Sequence, residues 1–198
     1  MHKSQFIGAL LLTIIVSGCD QGYTTLQGQT MGTYYGLSYD PSHCTLNQFD
    51  VEARLIAINR SMSTYDPDSE ISRINHAAQG EFRISADFAI VMEAAQRIYQ
   101  QSQGAFDPTI GPLVELWGFG PVDVNETPSA AAQQAAAEEV GMQLVTVAGD
   151  RLRKHADGVR LDLSAIAKGY AVDELAAMAS SAGCRNYMVD IGGEIGRA

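Results

Sequence analysis

Residues 104–121 carry three prolines and four glycines in 18 positions, a density that no long helix or strand can cross. This interruption separates a first part with helical periodicity from a later part where a period of two appears. Before it, Val51, Leu55, Ile58 and Met62 fall at i, i+4, i+7 and i+11, one face of a helix. Phe88, Val91, Ala95 and Ile98 fall at i, i+3, i+7 and i+10, again one face of a helix, which Gly104 can terminate. A third helix is predicted to start at Thr127-Pro128, a hydroxyl cap followed by proline in the first turn, and to stop at Gly141. Beyond it, residues 144–148 read as a strand, and Asp157-Gly158 is a hairpin turn signal between flanking β segments. Val159, Leu161 and Leu163 then alternate with Arg160 and Asp162, and a helix follows over about 167–182 with Gly183 as its stop. Residues 31–39 and 187–191 read as further strands, the second ending in Gly192-Gly193. Strands interleaved with helices, and at least one hairpin, predict an α+β fold with a mixed or antiparallel sheet and packed helices. The sequence reaches Ala198 just past that Gly-Gly turn with no closing element, which reads as a domain truncated at its C-terminus.

The first residues set the compartment. Lys3 gives a short positive region, and residues 6–16 form an apolar stretch of signal-peptide length. It ends in Val16-Ser17-Gly18-Cys19, a match to the bacterial lipobox, in which small residues precede a cysteine that accepts a diacylglycerol. A signal peptide that merely contains a cysteine at its end is the other reading. Asp20, directly after Cys19, resembles an inner-membrane retention signal. The expected division is a lipoprotein signal peptide over 1–18, a polar tether over 19–29 and a folded domain over 30–198. Lipid anchoring at Cys19 would place that domain at the inner membrane, on the periplasmic side. No run reaches the roughly 20 apolar residues of a spanning helix. A formal charge of -10 repels phosphate backbones, which argues against a general nucleic-acid binder but allows a local basic pocket for one small phosphorylated ligand. Cys44 and Cys184 remain free to pair in an oxidising compartment, although their spacing carries no framework signature. His2, His43, His76 and His155 stand alone, and there is no Cys-x-x-Cys, so nothing suggests zinc.

Three stretches could carry chemistry. In residues 161–173 a strand passes through small residues into a helix whose free N–H groups can attract an anion, with Lys168 in the first turn to add a cation. The same residues also read as a plain strand-to-helix junction with an exposed lysine. Residues 104–121 are rich in apolar and aromatic side chains despite their turns, as a fixed loop against a planar ligand or a structural loop over the core would be. Gly118-x-Gly120 lacks the third glycine of a dinucleotide fingerprint. In residues 62–73, Asp66-Pro67-Asp68-Ser69 reads as a turn that caps a short helix, and as a metal site only secondarily.

Together these stretches resemble the ApbE family, the FAD:protein FMN transferases. Five ordered blocks carry the likeness: Gln29-Thr30-Met31-Gly32-Thr33, residues 62–75, residues 106–121, residues 161–173 and residues 189–194. The resemblance implies an enzyme that cleaves FAD at its pyrophosphate, moves the FMN half onto a threonine hydroxyl of a partner protein and releases AMP. The implied partners are flavoprotein subunits of membrane redox complexes. Some relatives hydrolyse FAD to FMN and AMP instead, and a lipoprotein that binds FAD without turnover is a further alternative. By motif position Met31, Tyr65, Ala105, Phe106, Asp107, Asp162 and Lys168 would line the FAD site, and Ala165 would lend a backbone carbonyl to Mg²⁺. The family's metal-binding Asp and Thr and its candidate general base lie in a C-terminal portion. No counterpart occurs before Ala198, so catalytic residues are expected beyond it.

Overall fold

A computed structural model of the chain describes residues 22–121 and 126–198. The proposed signal peptide and Cys19 lie outside the described residues. Strands β1 (Thr24–Thr30) and β2 (Thr33–Tyr39) form an antiparallel hairpin in register from Thr24↔Tyr39 to Thr30↔Thr33. The expected tether over 19–29 is therefore corrected from Thr24 onward. Leu26 and Gly28 face the protein, while Thr25, Gln27 and Gln29 face water and give this edge strand its polar, tether-like composition. Gly28 matters for packing, because a Cβ there would lie 2.7 Å from the ring of Tyr35.

Helix α1 (Gln48–Met62) starts at Asn47, whose side chain accepts the Phe49 amide, and buries Val51, Leu55, Ile58 and Met62 as their spacing predicts. The Asp66–Ser69 turn leads into α2 (Glu70–His76), with the Ser69 hydroxyl accepting the Ser72 amide. Strand β3 (Gly80–Arg83), helix α3 (Ala86–Gln101) and the single-turn-and-a-half helix α4 (Gly111–Leu116) follow. Helix α5 spans Ala130–Glu138 and is capped by Ser129 rather than Thr127, because it is the Ser129 hydroxyl that reaches the Ala132 amide. Strands β4 (Val145–Ala148) and β5 (Arg151–Lys154), helix α6 (Ser164–Ser181), and strands β6 (Tyr187–Ile191) and β7 (Glu194–Arg197) complete the order.

Two antiparallel sheets result, one ordered β1-β2-β6-β7 and one ordered β3-β5-β4, with helices packed between and around them. This is the α+β class expected. The hairpin of the second sheet turns at Gly149-Asp150, not at Asp157-Gly158. Residues 159–163 follow the Asp157-Gly158 turn without joining a ladder, apart from one bridge between Ile110 and Arg160. Beyond Gly192-Gly193, both at positive φ, the chain does continue as a strand, β7.

Leu37, Val189 and Ile191 from the larger sheet meet Leu55 and Ile58 of α1, Phe88 and Met92 of α3, and Ala171 and Leu175 of α6 in one core. Arg54 ties those three helices together at the surface of the core. It donates two bonds to Asp87, 2.6 and 2.7 Å, and two to Glu174, while Tyr170 donates to Asp87 at 2.8 Å. The Arg54 bonds hold the Asp87 carboxyl below the usual carboxylate range. Cys44 and Cys184 are joined in a disulfide with their Cα atoms 5.1 Å apart, linking the stretch after β2 to the end of α6. Among the described residues no helix is long and apolar enough to cross a membrane.

Candidate functional site

A cavity of about 710 Å³ opens where three elements meet. One wall is the β1–β2 turn, Met31 and Gly32. The second is the end of α1 and its following loop: Ile58, Asn59, Met62, Ser63, Thr64, Tyr65 and Asp66. The third is the start of α6: Ser164, Ala167 and Lys168.

Each wall has a local cause. Met31 and Gly32 occupy the two central positions of a tight hairpin with φ of 49° and 71°. Such turns require left-handed backbone at both positions. Glycine adopts it freely, whereas for methionine it costs about 1 kcal/mol. The strained residue is the one whose side chain faces the cavity. On the second wall, Ser63 and Ser69 brace the loop, the Ser69 hydroxyl donating to the Ser63 carbonyl at 2.6 Å and the Ser63 hydroxyl accepting the Tyr65 amide. The exposed Tyr65 donates its hydroxyl to the carbonyl of Phe119 at 3.0 Å, fastening the loop after α4 to the cavity rim. On the third wall, α6 begins at Ser164 with no side-chain bond from its cap residue Leu163, and Asp162 Oδ1 takes the Ser164 amide at 2.7 Å.

The structure gathers three of the sequence-predicted residues, Met31, Tyr65 and Lys168, in this lining. Lys168 is the fifth residue of α6 and not in its first turn, because the helix starts three residues earlier than its sequence pattern suggests. It makes no ion pair among the described residues. Ala105, Phe106, Asp107 and Asp162 are not among the lining residues. Asp107 Oδ1 accepts the amide and the hydroxyl of Thr109, whose oxygen in turn accepts the Gly141 amide at 2.7 Å. The Asp162 amide donates to the Pro108 carbonyl at 2.8 Å, which joins this loop to the approach to α6. At Gly111 the two segments touch so closely that a Cβ would lie 2.7 Å from the Arg160 carbonyl oxygen.

Ala165 faces elsewhere. It lines a smaller cavity of about 410 Å³ between α3 and α6, with Arg97, Asp173 and Glu194. Among the described residues no group of three or more His, Cys, Asp or Glu side chains is placed to hold a metal ion. A hard cation such as Mg²⁺ takes six oxygens. One helix carbonyl does not supply them, so the described residues by themselves do not fit a divalent cation. Asn59 and Gly32 were not foreseen from sequence. Asn59 interrupts the apolar face of α1 beside Ile58, and that break in the pattern was its only signal.

In chemical terms the cavity offers apolar walls from Met31, Ile58, Met62 and Ala167, an aromatic face from Tyr65, hydroxyl and amide groups, and one lysine at the start of a long helix. That combination suits a flat ring system joined to a phosphate.

Fold and site thus define an α+β protein that builds a ligand cavity against a helix N-terminus. The ApbE family model matches residues 31–197, and the chain belongs to the ApbE family. It is 38% identical over 195 residues to a FAD:protein FMN transferase of Vibrio cholerae, covering 94% of this chain and 58% of that one. A FAD:protein FMN transferase of Haemophilus influenzae is 39% identical over 201 residues, with the same coverages. The solved flavin transferase ApbE from Vibrio cholerae superposes with a TM-score of 0.84 at 38% identity, over 88% of this chain and 58% of that chain. The apo flavinyl transferase ApbE of Pseudomonas stutzeri gives 0.82 at 34% identity, over 89% of this chain and 58% of that one. The chain spans less than two thirds of the length of these relatives.

Proposed function

We propose that this chain forms the flavin pocket of a FAD:protein FMN transferase, which moves the FMN half of FAD onto a threonine hydroxyl of an acceptor flavoprotein and releases AMP. The observation that carries this reading is the cavity itself, which brings Met31, Tyr65 and Lys168 to one helix N-terminus. In this reading the isoalloxazine ring lies among Met31, Met62 and Tyr65. Lys168 holds a phosphate, where charge grows as the pyrophosphate breaks, while the Ser164 and Ile166 amides at the start of α6 are taken by Asp162 and Leu163. Asp107 and Asp162 shape the loop and the helix start through their bonds to Thr109 and Ser164. The magnesium requirement is part of the proposal, with its other ligands and the general base drawn from the part of the relatives' length that this chain does not span. A location on the periplasmic side of the inner membrane, anchored through Cys19, is proposed with it. The Cys44–Cys184 disulfide supports an oxidising compartment.

The test mixes FAD, Mg²⁺ and an acceptor flavoprotein subunit with this chain extended by the part of the relatives' length that it does not span, followed by a denaturing gel. Flavin fluorescence in the acceptor band is the expected result for the transferase once all metal ligands are present. Free FMN and AMP with a dark acceptor band would identify a hydrolase. FAD binding with neither product would leave a flavin-binding protein.

A further inference from the structure

Asn75 lies at the end of α2 and is nearly fully buried, outside the cavity lining. Its side chain donates to the Leu161 carbonyl at 2.8 Å and accepts the Leu161 amide at 2.8 Å. One carboxamide thus takes the place of a neighbouring strand for a segment that has almost no ladder of its own. The Asn75 backbone is held in turn. Lys154 on β5 is buried, and its ammonium donates to the carbonyls of Ile74, Asn75 and Ala77 at 3.0, 3.4 and 2.8 Å. These are the carbonyls that a helix end leaves without partners. The next residues after Leu161 are Asp162, which takes the Ser164 amide, and the α6 residues Ser164, Ala167 and Lys168 of the cavity wall.

We infer that Asn75 is a positioning residue for the cavity: its buried amide fixes Leu161 and thereby the first turn of α6, with Lys154 holding Asn75 in place. An apolar residue at 75 would leave both polar groups of Leu161 buried without partners, and the segment would shift to satisfy them. The effect on ligand rests on the flavin reading above; the effect on α6 does not.

The experiment compares the oxidised wild-type chain with Asn75→Ala, Asn75→Asp and Val51→Ala, the last a core truncation at the far end of α1. Amide hydrogen exchange is followed along the chain, and FAD binding by quenching of flavin fluorescence. Asn75→Ala is expected to speed exchange in residues 159–168 and to weaken FAD binding by about tenfold. Val51→Ala should leave both unchanged under conditions where it remains folded. Asn75→Asp keeps the acceptor for the Leu161 amide, so it should fall between wild type and Asn75→Ala, and it carries the comparison if the alanine variant does not fold. Equal exchange in residues 159–168 for an Asn75 variant and Val51→Ala overturns the inference. If the wild type fails to bind FAD, the flavin reading falls, and the exchange data still decide whether Asn75 positions α6.

Discussion

Residues 151–154 and 159–163 look alike in burial and unlike in bonding. In both, apolar or inward-facing residues alternate with outward ones, and Leu152 and Leu161 are equally buried. Yet β5 is the central strand of a sheet, paired on both sides, whereas residues 159–163 bond to a side chain amide, a loop carbonyl and one bridge residue. Alternation therefore reports which side of a chain faces the core and says nothing of what the backbone pairs with. The segment without a ladder is the one that feeds the cavity. Freed from a sheet, it can be positioned by the groups around the site.

That contrast can be broken by experiment. If burial sets the energy, Leu152→Ala and Leu161→Ala should each cost about 3 kcal/mol in chemical denaturation. A much smaller loss at Leu161 would show that the unladdered segment contributes little. Next in size is Gly111→Ala, whose Cβ would press on the Arg160 carbonyl and force the two segments apart, at about 2 kcal/mol. Gly149→Ala in the β4–β5 hairpin meets no neighbouring atom and should cost only about 1 kcal/mol, from its φ of 56°. Denaturation curves in which Gly149→Ala is the more harmful would remove the close approach at Gly111 as a cause.

The smallest expected effect is one of pH. Burial first, and then the nearby charge of Arg160, push the Lys154 ammonium below its usual range, while Asp157 pulls the other way. The folded chain then binds fewer protons than the unfolded chain between that lowered value and the ordinary 10.5. Stability must rise with pH across this window, and the cost of burying the charge is fully present below it. Wild type should accordingly gain on Lys154→Met as pH is raised toward 10.5, measured by denaturation at each pH. A constant difference between the two would mean that Lys154 keeps its ordinary affinity for a proton.

Helices α1 and α3 were legible because their apolar residues keep a helical period, strands β2, β4 and β6 through their β-forming side chains, and α6 through the strand that leads into it and the Gly183 stop. Strand β5 was not, since Arg151, Arg153 and Lys154 disguise it, and the buried Lys154 occupies a position where an apolar residue is expected. The hairpin was consequently displaced to the next Gly-containing turn. Strand β1 was hidden by its polar outward face. At the site, Met31, Tyr65 and Lys168 could be named because motif position marks them. Asn75 and Lys154 act through backbone groups far away in sequence, and no local pattern reveals such partners.

The disulfide described with the fold has a topological consequence. It closes a covalent ring spanning a sequence separation of 140 residues. Two cavity walls, the end of α1 and the start of α6, are members of that ring, while Met31 and Gly32 stand on a tail outside it. An unfolded but oxidised chain therefore keeps those two walls within a bounded distance of one another, and part of the entropy of bringing them together is already lost. The hairpin enters the ring directly at Cys44, so along the oxidised chain Met31 stands no farther from Lys168 than Met62 does. The cavity is thus a ring sealed by a tail, and a reductant acting at Cys44 and Cys184 lengthens the covalent path from α6 to both other walls at once.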